Sequence, residues 1–239
     1  MGSPSFVQRH AEQLFHTLGP VYDRLTDHEL WRAQNARLME RATERLGRPP
    51  HAVLDVGCGT GVGTLAMAAA LPPTARVTGL DLTPAMIERA RHYHRARGAD
   101  PRVRFVVGDA TCTGFATGSF DTVVGNSVLY LVPDAPSVLR ELARVLAPGG
   151  VLIFMEPHAE GSLRRAARQA LRHGEAARSA PVSALLLATS MASWRAFSGA
   201  AGRKPAARQR ALLEEAGFVD VTSTGTLGGL GVHVAGRRP

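Results

Sequence analysis

The chain has 239 residues and a formal net charge of +8, a length that can bury one sizeable α/β core. No apolar run is long enough for a membrane span, the N-terminus lacks the apolar segment of a secretory signal, and the two cysteines predict neither a disulfide framework nor a metal site. The cysteine usage suits a reducing cytoplasm, where we expect the protein. Lys204 is the only lysine beside many arginines, which is typical of a GC-rich bacterial genome, so we do not favour a nucleic-acid partner despite the positive charge.

The N-terminal residues 1–47 are predicted to be helical. Apolar residues between Leu30 and Leu46 recur at helical spacing, and Gly47 with Pro49 ends the pattern. A helical segment ahead of the first strand could lie over a ligand cleft as a lid.

The stretch VLDVGCGTGVG at 53–63 predicts a buried parallel strand, a tight turn and the start of a helix. Glycines are needed where a ligand approaches the backbone closely. The spacing does not fit the G-x-G-x-x-G of dinucleotide sites, because the third position falls on Val62 when counted from Gly57 and on Thr64 when counted from Gly59.

Two acids follow the next two predicted strands. The second strand, 76–80, ends in Asp81, which lies 24 residues after Gly57. An acid near this interval meets ribose hydroxyls in nucleotide-binding sheets, because a carboxylate accepts from both donors of a cis-diol. A helix then runs from Thr83 to Gly98, and the third strand, 102–108, leads into Asp109.

The second half continues the alternation of strands and helices, with one interruption. A fourth strand at 119–125 leads into Asn126, Ser127 and Tyr130, and a fifth strand is predicted at 151–156. Residues 158–204 interrupt this alternation with two predicted helical stretches, 162–178 and the apolar 183–197. A final helix at 205–216 precedes strands at 218–224 and 230–235.

The D-x-G-x-G-x-G run at 55–61, the L-x-x-x-x-R-V-L-x-P-G-G run at 139–150 and the run LLEEAGF at 212–218 carry a family resemblance. They resemble the class I S-adenosylmethionine-dependent methyltransferases, in particular the type 11 and ubiquinone-menaquinone biosynthesis-like enzymes that modify small molecules. The resemblance implies a Rossmann-like α/β fold. Its sheet has seven mostly parallel strands in the order 3-2-1-4-5-7-6, with strand 7 antiparallel and helices on both faces.

We expect one domain over residues 1–239. The helical lid takes 1–47, the cofactor-binding core 48–157 and 205–239, and a helical insertion that caps the substrate 158–204. The resemblance covers about 52–156 and 211–235, so the lid and the insertion are assigned by their position alone.

The resemblance also implies S-adenosylmethionine as cofactor, S-adenosylhomocysteine as product, and no metal. Asp81 would bind the ribose, Asp109 the adenine amine, and the glycine loop the methionine moiety. The residues expected to bind the cofactor are Tyr22, Asp55, Gly57, Cys58, Gly59, Gly61, Asp81, Leu82, Met86, Asp109, Ala110, Asn126 and Ser127.

The expected reaction is methyl transfer to O, N or C of a small apolar acceptor of the secondary-metabolite type. The sulfonium already activates the methyl group, so holding the nucleophile in line is the main requirement. A phenol or alcohol acceptor benefits from a general base, for which His158 is the first candidate and Tyr130 borders the same region.

Several alternatives stay open. The chain could be a quinone or phospholipid methyltransferase that acts at a membrane surface, although we do not favour a membrane as partner. It could also be a non-catalytic subunit that binds S-adenosylmethionine. An NAD oxidoreductase is disfavoured by the glycine spacing. The partner is expected to be a small-molecule acceptor, and the protein a monomer or homodimer.

Overall fold

The computed structural model describes residues 29–166 and 181–239. Six longer helices are α1 (Glu29–Leu46), α2 (Val62–Ala69), α3 (Pro84–Ala96), α4 (Ala135–Val145), α5 (Pro181–Ala201) and α6 (Ala206–Glu215). The strands are β1 (Ala52–Val56), β2 (Arg76–Asp81), β3 (Val103–Val107), β4 (Phe120–Asn126), β5 (Leu146–Pro157), β6 (Val219–Thr226) and β7 (Gly231–Arg237).

The seven strands form one sheet in the order β3-β2-β1-β4-β5-β7-β6, which confirms the predicted fold. Strands β1 to β5 are parallel to one another, and β7 runs antiparallel to both β5 and β6. Strand β5 begins at Leu146, five residues before the predicted start at 151, because Leu146 pairs with Phe120 ahead of a register shift.

Helices cover both faces of the sheet, as the buried central strands require. On one face α1, α2 and α3 contribute Leu38, Met67 and Ile87 to a core cluster. On the other face α4 and α6 contribute Leu142 and Leu213 to a second cluster. Strand residues alternate between the two clusters, so the sheet separates them and its C-terminal edge is left free for a ligand.

The described part of the predicted lid is a core helix. Leu38, Met39 and Ala42 of α1 are at most 2% exposed and pack with α2 in the first cluster. Residues 1–28 lie outside the described residues, so a covering role for them stays a prediction.

The described part of the predicted insertion is mainly helix α5, which extends beyond the predicted 183–197 at both ends. Residues 167–180 of the predicted first stretch fall outside the described part of the chain. Among the described helices, none is long and apolar enough to cross a membrane.

Candidate functional site

A cleft of about 470 Å³ opens where strands β1, β2, β3 and β4 end. In open parallel sheets this edge is the usual place for a ligand. The lining residues are Val56, Gly57, Gly59, Leu80, Asp81, Leu82, Thr83, Met86, Gly108, Asp109, Ala110, Thr111, Asn126, Ser127, Val128, Leu131, Val132, Pro133, Asp134 and Val138.

The glycine loop after β1 forms one wall of the cleft. Gly57, Gly59 and Gly61 have φ of +65°, +53° and +81°, in the left-handed region that favours glycine. A Cβ on Gly57 would lie 2.5 Å from Cγ2 of Val128. Gly57 and Gly59 line the cleft, whereas Gly61 faces Phe105 at the start of α2.

Asp55 and Cys58 lie behind this loop and do not line the cleft. Thr64 Oγ1 donates to Asp55 Oδ2 at 2.6 Å, so the acid ties β1 to the first turn of α2. Burial raises the pKa of Asp55 to about 7 and raises the pKa of the Cys58 thiol. Both residues therefore support the loop, and neither reaches the space a ligand would fill.

Asp81 faces the cleft from the end of β2. Its Oδ2 accepts the N–H of Gly59 at 2.8 Å, and its Oδ1 accepts the N–H of Thr83 at 2.9 Å. Together with a bond from the Thr83 side chain, they fix the carboxylate against the glycine loop and still leave it acceptor capacity for a hydroxyl donor. Burial raises the pKa of Asp81, while the two backbone donors and the Thr83 side chain act in the opposite direction.

Apolar side chains flank Asp81 on the side of β2 and β3. Leu82 is 53% exposed although it is apolar, and Met86 below it is only 2% exposed. Ala110 lines the same side, and the exposed carboxylate of Asp109 accepts the N–H of Thr111 at 2.7 Å. An exposed leucine beside an acceptor group suits a flat heteroaromatic ring that carries an amine.

The opposite end of the cleft is formed where β4 ends. Ser127 has φ of +59°, uncommon for a residue with a side chain, and its N–H donates to Met155 O at 2.7 Å. Trp194 Nε1 of α5 donates to Ser127 Oγ at 2.9 Å, and Asn126 Nδ2 donates to Asn35 Oδ1 of α1. Side chains from α1 and α5 therefore hold this end of the cleft.

Glu156, near the end of β5, holds the loop after β4. Its Oε1 accepts the N–H of Val128 and of Leu129 at 2.9 Å each, and its Oε2 accepts the N–H of Tyr130 at 3.2 Å. Burial raises its pKa to about 7, against the lowering effect of these donors and of Lys204. Because Val128 lines the cleft, Glu156 positions part of the cleft wall without lining it.

The three remaining predicted residues are not part of the described lining. His158 follows β5 with its Nε2 at 4.0 Å from Glu160 Oε2, and Tyr130 is 4% exposed and packs with Ala201. Tyr22 lies outside the described residues. The described residues that line the cleft include no histidine, and no cluster of metal-ligating side chains occurs in the described ranges.

Asn35 and Trp194 were missed at the sequence level. Each lies on a helix whose apolar pattern predicts packing only, and each contacts a cleft-lining residue, Asn126 or Ser127, through one polar atom. Their distance from Asn126 and Ser127 along the chain, 91 and 67 residues, left no local signal.

Comparison with known proteins agrees with this geometry. Residues 53–150 match the family model described as a methyltransferase domain. The demethylmenaquinone methyltransferase of Lactococcus lactis subsp. lactis is 32% identical over 155 residues, which are 62% of this chain and 59% of the relative. That of Staphylococcus aureus strain JH9 is 34% identical over 155 residues, 62% of this chain and 61% of the relative.

The fold comparison extends over most of the described chain. A SAM-dependent methyltransferase from Aquifex aeolicus superposes with a TM-score of 0.63 at 15% identity, covering 91% of this chain and 93% of that one. At this identity the likeness shows the fold. The chain spans about three fifths of the length of the curated relatives that it matches.

A Rossmann-like sheet in this strand order, with a glycine loop and an acid at the end of β2, defines a nucleoside-binding α/β protein. Residues 53–150 match a methyltransferase domain, and the chain has the fold of an S-adenosylmethionine-dependent methyltransferase. The predicted fold is therefore confirmed, and the matched segment agrees with the predicted family.

Proposed function

We propose that this chain transfers the methyl group of S-adenosylmethionine to a small, apolar acceptor, and that the acceptor is a reduced quinone. The observation that carries the proposal is the cleft, in which an anchored ribose acceptor, Asp81, and a bare glycine loop lead to Asn126 and Ser127. The curated relatives are demethylmenaquinone methyltransferases, which supports the quinone over other acceptors.

The cleft offers a carboxylate for the ribose of the cofactor and apolar side chains for its adenine. Asp81 would bind the ribose hydroxyls, and Leu82 and Met86 would pack on the adenine, with Asp109 near its amine. The methionine moiety would cross Gly57 toward Asn126, which directs the sulfonium methyl to the end of the cleft beside Ser127.

An aromatic pair beside Ser127 suits a flat acceptor. The indoles of Trp31 and Trp194 meet edge to face with centroids 5.7 Å apart. Each is fixed through its Nε1–H, Trp31 to Ser190 Oγ at 3.1 Å and Trp194 to Ser127 Oγ. Rigid aromatic side chains next to the cleft-lining Ser127 favour a planar apolar ring because such packing costs little side-chain entropy.

The reaction requires mainly that the protein hold the acceptor in line with the methyl group. The nucleophilic atom of the acceptor forms a bond to the methyl carbon while the carbon–sulfur bond breaks, and S-adenosylhomocysteine leaves as a neutral thioether. The acceptor then loses one proton, from its ring carbon when carbon is methylated and from its hydroxyl when oxygen is. Positioning of this kind supplies on the order of 7–11 kcal/mol in favourable models.

Incubation of the purified chain with S-adenosylmethionine and a short-chain demethylnaphthoquinol tests the proposal. Mass spectrometry should show an acceptor heavier by one methylene and an equal amount of S-adenosylhomocysteine. Asp81→Ala should lower the rate at a limiting cofactor concentration. Product from a simple phenol but none from the quinol would contradict the quinone assignment, and no S-adenosylhomocysteine with either would contradict methyl transfer.

A further inference from the structure

The hydroxyl of Ser127 accepts one hydrogen bond and has its own proton left to donate. Trp194 Nε1 donates to Ser127 Oγ at 2.9 Å. An indole N–H can only donate, so the Ser127 oxygen is the acceptor in this bond and its O–H points elsewhere. Among the described residues this O–H has no acceptor, and Ser127 is half-buried in the lining of the cleft. The donor is therefore available to a molecule in the cleft.

The backbone of Ser127 is held in an uncommon conformation. Its φ of +59° lies in the left-handed region, where a residue with a side chain is strained. Its N–H donates to Met155 O of β5 at 2.7 Å, and this bond helps to maintain the conformation. Strain that the surrounding structure maintains is found mainly at positions that present a group to a ligand. The Ser127 hydroxyl is thus held at a fixed place in the cleft.

Ser127 lies on the side of the cleft away from the proposed cofactor groups. In the sheet, β5 and β1 lie on opposite sides of β4, and the bond to Met155 brings Ser127 toward β5. Asp81 and the glycine loop follow β2 and β1. Trp194, which donates to Ser127, packs edge to face against Trp31 at 5.7 Å. This end of the cleft therefore combines neighbouring aromatic rings with an oriented hydroxyl donor.

We propose that the Ser127 O–H donates a hydrogen bond to a ring oxygen of the methyl acceptor, and that Trp194 is the positioning residue that aims it. This inference rests on the proposed function, because a reduced quinone carries such oxygens. It gives the Ser127 hydroxyl to the acceptor and not to the cofactor, to which the family resemblance assigned Ser127.

The donor character of the hydroxyl decides which acceptors it selects. An oxygen on an aromatic ring has lone pairs that can receive the O–H, whereas a hydrocarbon edge has none. The bond from Trp194 polarises the hydroxyl, and a polarised O–H is the better donor. Ser127 should therefore favour planar molecules with a ring oxygen over planar molecules of the same shape without one.

The test compares two planar ligands that differ in their ring oxygens. 2,3-Dimethyl-1,4-naphthoquinone carries two, and 2,3-dimethylnaphthalene carries none. The two methyl groups of the quinone block the carbons at which a methyl group or a thiol would add, so it is an unreactive substitute for the acceptor. Equilibrium dialysis against the chain saturated with S-adenosylhomocysteine measures both affinities. Ser127→Ala should bind the quinone roughly 3- to 10-fold more weakly, and the hydrocarbon within about twofold of the wild type.

Ser127→Gly is the matched control for the backbone. Glycine adopts a φ of +59° without strain, so this variant removes the hydroxyl and relieves the strain that Ser127→Ala keeps. Both variants should lose the same factor for the quinone, and both should bind S-adenosylhomocysteine as the wild type does, which also shows that they are folded.

Trp194→Phe tests the positioning role. It keeps the Ser127 hydroxyl but removes the bond that orients it, so the ratio of quinone to hydrocarbon affinity should fall. The double variant Ser127→Ala/Trp194→Phe should show the ratio of Ser127→Ala, because Trp194 acts on the ring oxygen through Ser127.

The outcomes separate this inference from the proposed function. Unchanged quinone affinity in Ser127→Ala, an equal loss for quinone and hydrocarbon, or different losses in the alanine and glycine variants would overturn the role of the hydroxyl. A loss of S-adenosylhomocysteine affinity in both variants would return the hydroxyl to the cofactor. Each of these results leaves methyl transfer in place. A wild-type chain that binds S-adenosylhomocysteine but neither planar ligand would overturn the quinone part of the proposed function as well.

Discussion

Replacing Glu156 by glutamine tests whether a buried, titrating carboxylate holds the loop beside the cleft. Glutamine keeps the shape and an acceptor for Val128 and Leu129, but it sets an NH₂ group against the N–H of Tyr130. It also removes a proton-binding group. The variant should therefore differ from the wild type in how its stability depends on pH.

The magnitude follows from the pKa of Glu156, which burial raises from 4.5 to about 7. The folded chain then holds this proton more tightly than the unfolded chain. The resulting stability is present below pH about 4.5 and is lost as the pH rises through 7. At about 1.4 kcal/mol per pKa unit, the wild type should lose about 3 kcal/mol relative to Glu156→Gln between pH 4.5 and 7.5.

Urea unfolding of both proteins across this pH range measures the difference. Asp55 and His233 also have shifted pKa values, about 7 and about 4, but both proteins carry them and their contributions cancel. Glu141→Gln is the control, because Arg144 lowers the pKa of Glu141 to about 2 and its contribution is nearly constant above pH 5. Parallel curves for wild type and Glu156→Gln would refute the assigned ionisation.

Three more substitutions address the cleft. Asp81→Ala should weaken S-adenosylhomocysteine binding by roughly 1–3 kcal/mol in calorimetry, because it strands the ribose hydroxyls and the N–H of Gly59. Gly57→Ala should lower the free energy of unfolding by more than the roughly 1–2 kcal/mol of a left-handed backbone, because its Cβ also meets Val128. Trp194→Phe removes the hydrogen bond to Ser127, so steady-state kinetics should show a higher KM for the acceptor with unchanged cofactor affinity.

Each of these has a control within the chain. Asp100→Ala removes a carboxylate that binds Arg102 away from the cleft, and it should leave cofactor affinity unchanged. Gly98→Ala, with φ of +92° and no atom within 4 Å of the new Cβ, should show the backbone cost alone. Equal losses for Gly57→Ala and Gly98→Ala would contradict the close contact with Val128. A weaker cofactor affinity in Trp194→Phe would contradict its placement on the acceptor side.

The family resemblance implied the sheet order, whereas the positions of Gly57 and Asp81 at strand ends were predicted from local patterns. A glycine that needs positive φ and an acid at a strand end can be recognised from their neighbours in the chain. The predicted roles of Gly57 and Asp81 remain predictions, but their places at the cleft follow from the same local patterns.

What the sequence could not reveal are contacts between distant segments. Glu156 binds backbone N–H groups of a loop whose path is set by tertiary structure, and Asn35 reaches Asn126 only after α1 packs on the sheet. His158 was predicted because it follows β5. In the sheet, β5 lies on the far side of β4 from β1, and Arg195 donates to the backbone O of His158. The order of elements is therefore easier to predict than the atoms that meet at their ends.

The central claim is that the cleft at the end of β1 and β2 binds an amino-acid-bearing adenosine. Calorimetric titration of the purified chain with S-adenosylhomocysteine and, separately, with NAD tests it most directly. The account predicts one site per chain for S-adenosylhomocysteine, weakened by Asp81→Ala, and no comparable heat with NAD. Tight binding of NAD together with no heat from S-adenosylhomocysteine would contradict it.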